Sequence, residues 1–302
     1  MEKEDFTFNG YRDKEVFASR YSSKDPSGVL VVVHGMAEHR KRYDNFARRL
    51  ADRGYLVYTY DQRGHGATAI ENGDILGHVS PAEGWKSLIE DPKILLRAVK
   101  ESEPDLPIFL FGHSMGSFVG RHLLTGACEE LNGAIFSGTG KISRLVAMLV
   151  HPLAKIERLL RGEKQESRLM EKLLFSSNNE AFEPTSTTYD WLSRDAGAVR
   201  DYIEDELCGF SCSTGFYEVF VSGMRQLAGT DEPRELPRDL RVLFISGEAD
   251  PVGGDEVREI AERFARSGHK NVDYKIYPEA RHEPLNEVNS EEVIEDIMSW
   301  LS

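Results

Sequence analysis

A serine inside a glycine-flanked pentapeptide is the side chain of this sequence best suited to chemistry. Residues 112–116 read Gly-His-Ser-Met-Gly, with Ser114 at the centre. An apolar run, 107–111, comes before the pentapeptide, and a helical pattern comes after it. This strand–turn–helix context is typical of a nucleophile elbow, in which a tight turn lifts the serine hydroxyl out of the backbone. We therefore predict that Ser114 is a nucleophile.

A serine hydroxyl is a poor nucleophile until a neighbouring base takes its proton, so one of the nine histidines should serve it. In a doubly wound sheet, reacting groups gather at the carboxyl ends of the strands. His282 follows a predicted strand that ends at Tyr277. His269 precedes that strand, and His113 adjoins Ser114, where its side chain should point away from the hydroxyl. His282 is therefore the predicted base.

The imidazole in turn needs a carboxylate that fixes its tautomer and stabilises its charged form. Asp250 follows the predicted strand 241–246 and is the preferred candidate, with Glu248 and Asp255 as rivals. Glu248 also lies near the strand end, whereas Asp255 lies toward the next helix. Serine, aspartate and histidine then occur in the chain order expected of α/β-hydrolases.

Acyl transfer also requires hydrogen-bond donors for the oxyanion of the tetrahedral intermediate. One predicted donor is the backbone N–H of Met115, directly after the nucleophile. The other is the backbone N–H of Met36, in the loop that follows the β-branched run 29–33. Gly35 permits the tight turn that would expose this amide.

The elements around these residues alternate between strand and helix. Strands are predicted at 14–21, 29–33, 55–60, 107–111, 133–137, 241–246 and 272–277, and helices at 43–53, 84–100, 256–267 and 290–301, with a further helix after the elbow. Such alternation predicts an α/β fold, with a mostly parallel central sheet covered by helices on both faces.

Strand patterns disappear for about a hundred residues in the second half of the chain. We therefore predict a core formed by 1–137 and 238–302 and a helical cap inserted at 138–237. Leucines at helical spacing between 145 and 160 are expected to pack over the active site, with Pro152 interrupting the helix. Transient contact with a membrane surface is the alternative, because cations lie among these leucines.

Composition excludes several classes of function. The formal net charge of −14 argues against a nucleic-acid partner. The three cysteines have no metal-binding spacing, and no metal is expected. A charged N-terminus without an apolar run predicts no secretory signal, and no segment approaches membrane-spanning length, so a soluble cytoplasmic protein is expected. Oligomeric state cannot be read from these features.

Together these motifs resemble the monoacylglycerol lipase and lysophospholipase branch of the α/β-hydrolases, within the serine aminopeptidase-like hydrolases. The resemblance is carried by residues 34–39 with Arg42-Tyr43, 60–66, 112–116, 247–252 and 281–283. In the cap, 190–195 and 207–210 look like bacterial members. The resemblance implies a hydrolase without a cofactor that cleaves esters bearing one fatty-acyl chain.

The resemblance also implies that Glu38 and Arg42 approach a glycerol-like headgroup. Trp191 and Phe210 belong to an aromatic set that either lines an acyl pocket or packs the cap. Four residues of Gly-flanked turns are expected instead to stabilise loops through backbone hydrogen bonds: His34, Asp61, Arg63 and His65.

Other functions fit the same fold. A short-chain carboxylesterase would use the same catalytic residues on smaller acyl groups. An aminopeptidase or amidase would need carboxylates in the cap to hold a free amino terminus, for which Glu204, Asp205 and Glu206 are candidates. A non-catalytic small-molecule receptor is a further alternative on this fold. It is disfavoured because a receptor does not need a nucleophile, a base and an acid together.

Overall fold

The structure, a computed structural model, describes residues 1–126, 130–228 and 239–302. Its strands are Glu2–Asn9 (β1), Glu15–Ser22 (β2), Gly28–Val33 (β3), Tyr55–Tyr60 (β4), Ile108–His113 (β5), Gly133–Ser137 (β6), Arg241–Gly247 (β7) and Val272–Tyr277 (β8). Its α-helices are Asp44–Asp52 (α1), Gly66–Ile70 (α2), Gly84–Ser102 (α3), Met115–Leu124 (α4), Arg144–Arg161 (α5), Arg168–Phe175 (α6), Ala196–Glu204 (α7), Thr214–Leu227 (α8), Glu256–Arg266 (α9) and Ser290–Leu301 (α10).

The eight strands form one sheet in the order β1-β2-β4-β3-β5-β6-β7-β8. β2 pairs antiparallel with both β1 and β4, and every pairing from β4 to β8 is parallel. The predicted fold class, a mostly parallel sheet of the α/β-hydrolase type, is confirmed. The carboxyl ends of β5, β7 and β8 consequently lie along the same edge of the sheet.

Side chains of the central strands alternate between two apolar layers, one on each face of the sheet. In β3, Val29, Val31 and Val33 pack into the layer that also holds α3, α4 and α9. Leu30 and Val32 pack into the opposite layer with α1 and α10. Burial on both faces explains why β3 is a continuous apolar run rather than an alternating one.

Strand β1 was missed by the sequence prediction. It is an exposed edge strand whose pattern is dominated by charged residues, and Phe6 and Phe8 are its main apolar contacts with the core. Its pairing with β2 over eight residues supplies the backbone hydrogen bonds that the sequence pattern does not reveal.

Four α-helices, α5 to α8, occupy the described part of the segment between β6 and β7. Helix α8 packs on α3 and shares the core layer through residues such as Val219 and Met224. The division into a core and a cap at 138–237 stays a prediction, and the boundary at 237/238 falls outside the described residues. We use the name cap segment for residues 138–228.

Helix α5 corrects two expectations. It continues through Pro152, which removes one internal hydrogen bond but does not end a helix of 18 residues. Its leucines also face outward: the packed residues are Ala147, Val150, Ala154 and Glu157. The apolar side chains expected to face inward are instead exposed, each with 49 to 80 % of its surface accessible to solvent: Leu145, Val146, Leu149, Leu153, Ile156, Leu159 and Leu160. Helical spacing shows that an apolar face exists, but not which way it points.

In the described part of the chain, no helix combines the length and apolar character needed to cross a membrane.

Candidate active site

Ser114 lies in the strained turn between β5 and α4. Its backbone has φ 48° and ψ −118°, a conformation that side-chain-bearing residues rarely adopt. A methyl group at Gly116 would collide with the backbone carbonyls of Val33 and His34, so the chain can pass here only with glycine. The turn predicted from residues 112–116 is therefore present.

His282 and Asp250 form a buried pair beyond the ends of β7 and β8. His282 Nδ1 lies 2.8 Å from Asp250 Oδ1, and the aspartate also accepts from the Val252 N–H at 2.8 Å and the Ser246 hydroxyl at 3.0 Å. The exposed rival Glu248 accepts instead from the N–H of Glu279. His282 is thus paired with Asp250 and not with Glu248.

Each member of this pair shifts the pKa of the other. Burial alone would lower the pKa of His282, but the charge and hydrogen bond of Asp250, together with the charges of Glu283 and Glu38, raise that pKa above 6.5. Burial alone would raise the pKa of Asp250, but the charge and hydrogen bond of His282 hold it below 3.8. The pair therefore favours a carboxylate beside an imidazole that readily takes up a proton.

The end of β6 brings Ser114 and His282 into one neighbourhood. The N–H of Ser114 donates to the carbonyl of Ser137 at 2.9 Å. At the next residue, Gly138, a methyl group would meet the imidazole of His282 at 3.0 Å. Ser114 and the imidazole thus lie against consecutive residues, Ser137 and Gly138, and a side chain at 138 would displace the imidazole.

Two rings enclose the imidazole of His282. The Trp191 ring lies 4.8 Å from it between centroids, and the His113 ring lies 4.9 Å away on the β5 side. Burial and then the neighbouring His282 lower the pKa of His113 to about 4, so this ring is neutral at neutral pH. The ring of His113 thus packs on the predicted base, and its direction relative to the Ser114 hydroxyl stays a prediction.

The two predicted oxyanion donors lie on different elements next to Ser114, one at the start of α4 and the other in the loop after β3. Met115 is the first residue of α4, where an amide has no partner within its own helix. Met36 follows Gly35, where a methyl group would lie 3.3 Å from the Ser114 Cβ and 2.8 Å from Glu38 Oε1. Among the described residues, neither the Met36 nor the Met115 N–H donates to another group.

Glu38 and Arg42 form an internal network. Glu38 accepts from the Gly35 N–H, from the Tyr43 hydroxyl at 2.8 Å and from Arg42 at 2.7 Å. Arg42 also binds both carboxylate oxygens of Glu283, at 2.7 and 2.8 Å. The network braces the loop that carries Met36 against the residue after His282. Contact of Glu38 and Arg42 with a headgroup stays a prediction.

The loop at 34–39 is also held by the cap segment. The Ala37 carbonyl accepts from the Gly209 N–H and from the Tyr202 hydroxyl, both at 2.9 Å. Phe210 lies on this side of the site, with its ring 5.4 Å from that of His65, rather than beside His282. The lining of an acyl pocket by Trp191 and Phe210 stays a prediction.

The loop-stabilising roles predicted for turn residues are confirmed. His34 Nε2 accepts from the Gln62 N–H at 2.9 Å, and His65 Nε2 accepts from the Ala37 N–H at 3.1 Å. Burial lowers the pKa of His34 to about 4 and of His65 to about 3, which keeps both able to accept. Asp61 likewise accepts from the backbone of Arg40 and Ala67, at 2.8 and 2.9 Å.

Sequence reasoning missed three residues of this neighbourhood. Glu283 had a visible signal, because it adjoins His282 and lies within a motif that carries the resemblance. Tyr202 and Gly138 had none, since their importance comes from contacts with distant residues.

The parallel sheet, the strained serine turn and the buried histidine–aspartate pair define an α/β-hydrolase. The chain belongs to the family described as serine aminopeptidase, S33 (Hydrolase_4), which matches residues 24–289.

Two relatives and one solved structure illustrate its place in the family. Monoacylglycerol lipase of Mycolicibacterium smegmatis is 26 % identical over 285 residues, covering 92 % of this chain and 89 % of that one. Human monoglyceride lipase is 29 % identical over 288 residues, covering 92 % and 83 %. The crystal structure of a thermostable carboxyl esterase from Bacillus coagulans, in complex with glycerol, matches with a TM-score of 0.90 and 32 % identity, covering 100 % and 98 %. The chain is accordingly a carboxylic ester hydrolase.

Proposed function

We propose that Ser114, His282 and Asp250 form the catalytic triad of a two-step serine esterase. The observation that carries the proposal is the buried pair of His282 and Asp250, 2.8 Å apart. The imidazole of this pair lies against Gly138, and the preceding residue, Ser137, accepts from the Ser114 N–H. A carboxylate is acceptor-only, so His282 Nδ1 carries the proton it donates to Asp250. Nε2 is left as the acceptor for the serine proton.

The proposed reaction has two steps. Ser114 Oγ attacks the ester carbonyl carbon while its proton passes to His282 Nε2, and Asp250 stabilises the imidazolium. The amides of Met36 and Met115 donate to the oxyanion of the tetrahedral intermediate. His282 then gives the proton to the leaving alkoxide, and the alcohol departs. In the second step His282 activates water, which releases the acid and restores the serine.

For the substrate we propose an ester with a single acyl chain, such as a monoacylglycerol or a lysophospholipid-like molecule. Two lines support this: relatives that span almost the same length are monoacylglycerol lipases, and a structural relative was solved with glycerol. The predicted cap, 138–237, supports it too, because Trp191 lies against the predicted base and can border a substrate that reaches Ser114.

We also propose that the cap segment meets its lipid substrate at an anionic lipid surface. The exposed apolar face of α5 is flanked by the cations Arg144 and Lys155, although the chain as a whole has a net charge of −14, and a third cation, Arg161, is ion-paired with Glu157. An apolar helix face edged by cations favours insertion between anionic headgroups.

A substrate panel tests the proposed function. We expect kcat/KM for monoesters to rise from acetyl to at least medium chains, by up to about fourfold per methylene, since each buried methylene contributes roughly 0.8 kcal/mol. Triolein and aminoacyl amides should stay nearly inert. A preference for acetyl esters would favour the short-chain carboxylesterase, and turnover of aminoacyl amides would favour the aminopeptidase.

A further inference from the structure

A histidine, an aspartate and a cysteine converge outside the predicted triad, where the cap segment meets the loop at 34–39. His39 Nε2, a carboxylate oxygen of Asp205 and Cys208 Sγ all lie within 4.8 Å of one another. His39 comes from the core loop, whereas Asp205 and Cys208 follow α7. His39 and Cys208 are buried and Asp205 is partly exposed, so the cluster has one side open to solvent.

The three atoms are ligands of the kind that a borderline-soft divalent cation prefers. Zn²⁺ is bound by imidazole nitrogen at about 2.0 Å, thiolate sulfur at about 2.3 Å and carboxylate oxygen at about 2.1 Å, in tetrahedral geometry. Tetrahedral ligand atoms at those distances are roughly 3.5 Å apart. The His39–Asp205 distance, now 2.8 Å, must therefore lengthen slightly. The Cys208 sulfur, now within 4.8 Å of the other two ligand atoms, must come to about 3.5 Å from each.

Charged groups of both signs surround Cys208. Arg42 has the largest charge effect on its thiol, and the carboxylates of Glu38, Asp205 and Glu283 act in the opposite sense. Arg42 is itself ion-paired with Glu38 and Glu283. The carboxylate of Asp205 is also oriented in advance, because its Oδ1 accepts from the Leu207 N–H at 2.8 Å. Such fixed outer contacts hold a ligand in the geometry that a metal requires.

We propose that His39, Asp205 and Cys208 form a binding site for a thiophilic divalent cation of the Zn²⁺ class. On binding, Cys208 loses its thiol proton to solvent, and the thiolate sulfur, His39 Nε2 and an Asp205 oxygen become the three protein ligands. The fourth position, on the open side, takes water. This inference is independent of the esterase mechanism.

A cation there would fasten the cap segment to the core. His39 lies two residues beyond Ala37, whose carbonyl already accepts from Gly209 and Tyr202 of the cap segment. One metal would link His39 of the core loop to Asp205 and Cys208 of the cap segment, in place of the present His39–Asp205 hydrogen bond. We therefore expect binding to stabilise the folded protein, since a ligand that binds the folded state shifts unfolding by mass action.

Titration of the chelator-treated protein with Co²⁺ tests the site. The full chain should bind one equivalent and develop the ligand-to-metal charge-transfer absorption of a thiolate–Co²⁺ bond. Cys208→Ser should lose that absorption and bind at least tenfold more weakly. Cys212→Ser and Cys128→Ser are the matched controls and should keep the band, since Cys212 lies outside the cluster; Cys128 lies outside the described residues.

A second measurement keeps the test decisive if Cys208→Ser folds poorly. Asp205→Asn retains the thiol and should weaken Co²⁺ binding at least tenfold. Zn²⁺ at a hundredfold excess over the dissociation constant of the unsubstituted protein should raise the Tm of that protein by about 5 °C. At the same Zn²⁺ concentration the Tm of each site variant should rise by about half as much or less. Absence of one-equivalent binding by the full chain, or a charge-transfer band that survives in Cys208→Ser, would overturn the proposal.

Discussion

Trp191 of the cap segment contacts His282 twice, through its ring and through its backbone. The two ring centroids are 4.8 Å apart, and the Trp191 carbonyl accepts from the backbone N–H of His282 at 3.3 Å. The residues that follow each of these two form a second backbone hydrogen bond, in which the Leu192 carbonyl accepts from the Glu283 N–H at 2.8 Å. The cap segment thus fixes both the position of the predicted base and one wall of its environment.

Replacing Trp191 by alanine should therefore reduce kcat/KM for monoesters by about tenfold, because the imidazole loses the ring that restrains it. The backbone hydrogen bond persists in this variant, so folding should be retained. Trp191→Phe keeps an aromatic ring and should restore most of the activity. Equal losses in the two variants, measured with the same ester, would show that the ring itself does not matter.

Gly35→Ala should distort the loop that presents the Met36 amide. The added methyl group would meet Glu38 Oε1 at 2.8 Å and the Ser114 Cβ at 3.3 Å. We expect kcat to fall by about 10²–10³, the cost of removing one oxyanion donor. Gly126→Ala is the matched control and should leave kcat unchanged, since among the described residues its methyl group meets nothing closer than 3.6 Å. Comparable rates for both variants would remove Met36 from the mechanism.

The pH profile of kcat/KM should report the raised pKa of His282. A general base works in its neutral form, so activity should rise with pH and level off above an inflection that lies higher than 6.5. Asp250→Asn removes the carboxylate, and should lower this inflection and reduce kcat by about 10³–10⁴. Glu248→Gln should change neither quantity. An unchanged inflection in Asp250→Asn would assign the acid role elsewhere.

The same pair links stability to pH in a defined direction. Because the pKa of His282 is raised, its contribution to the free energy of unfolding is fully present below pH 6.5 and is lost as pH rises through the folded-state pKa. Because the pKa of Asp250 is lowered, its contribution is present above 3.8 and is lost as pH falls through the folded-state pKa. The free energy of unfolding in urea, measured from below pH 3.8 to above pH 6.5, should fall at both ends of this range. In Asp250→Asn both falls should be smaller.

The exposed apolar face of α5 should matter for binding to lipid vesicles but not for hydrolysis of a water-soluble ester. Leu149→Glu places a charge at the centre of that face, so binding to vesicles of anionic phospholipid should weaken by about tenfold or more. Hydrolysis of a water-soluble p-nitrophenyl ester should be unchanged, because α5 packs through its opposite side. Val288→Glu, an equally exposed apolar position outside the cap segment, should leave vesicle binding intact. Equal vesicle binding by Leu149→Glu and the unsubstituted protein would contradict membrane contact through α5.

Local patterns in the sequence predicted most of the sheet and the residues proposed as the triad. The continuous apolar run of β3 and the turn around Ser114 each follow from constraints on neighbouring residues, which a linear sequence displays. The position after a strand end made Asp250 a candidate but did not separate it from Glu248, whereas its hydrogen bond with His282 does.

Features that depend on distant contacts could not be predicted in the same way. The orientation of α5 depends on its packing against α8, and its periodicity is the same whichever way it faces. His39 and Asp205 are 166 positions apart, so the spacing of cysteines gives no sign of the cluster they form with Cys208. The strand β1 depends on pairing with β2 more than on an apolar pattern.

Labelling by a fluorophosphonate, read by intact mass and peptide mapping, tests the central claim most directly. The protein should take up one label, located on Ser114, while Ser114→Ala should stay folded, remain unlabelled and lose at least about 10³-fold in ester hydrolysis. His282→Ala should lose a comparable factor, with no further loss in the double variant, because the residues act as a unit. A label on another residue, or a tenth of the original turnover in Ser114→Ala, would contradict the account.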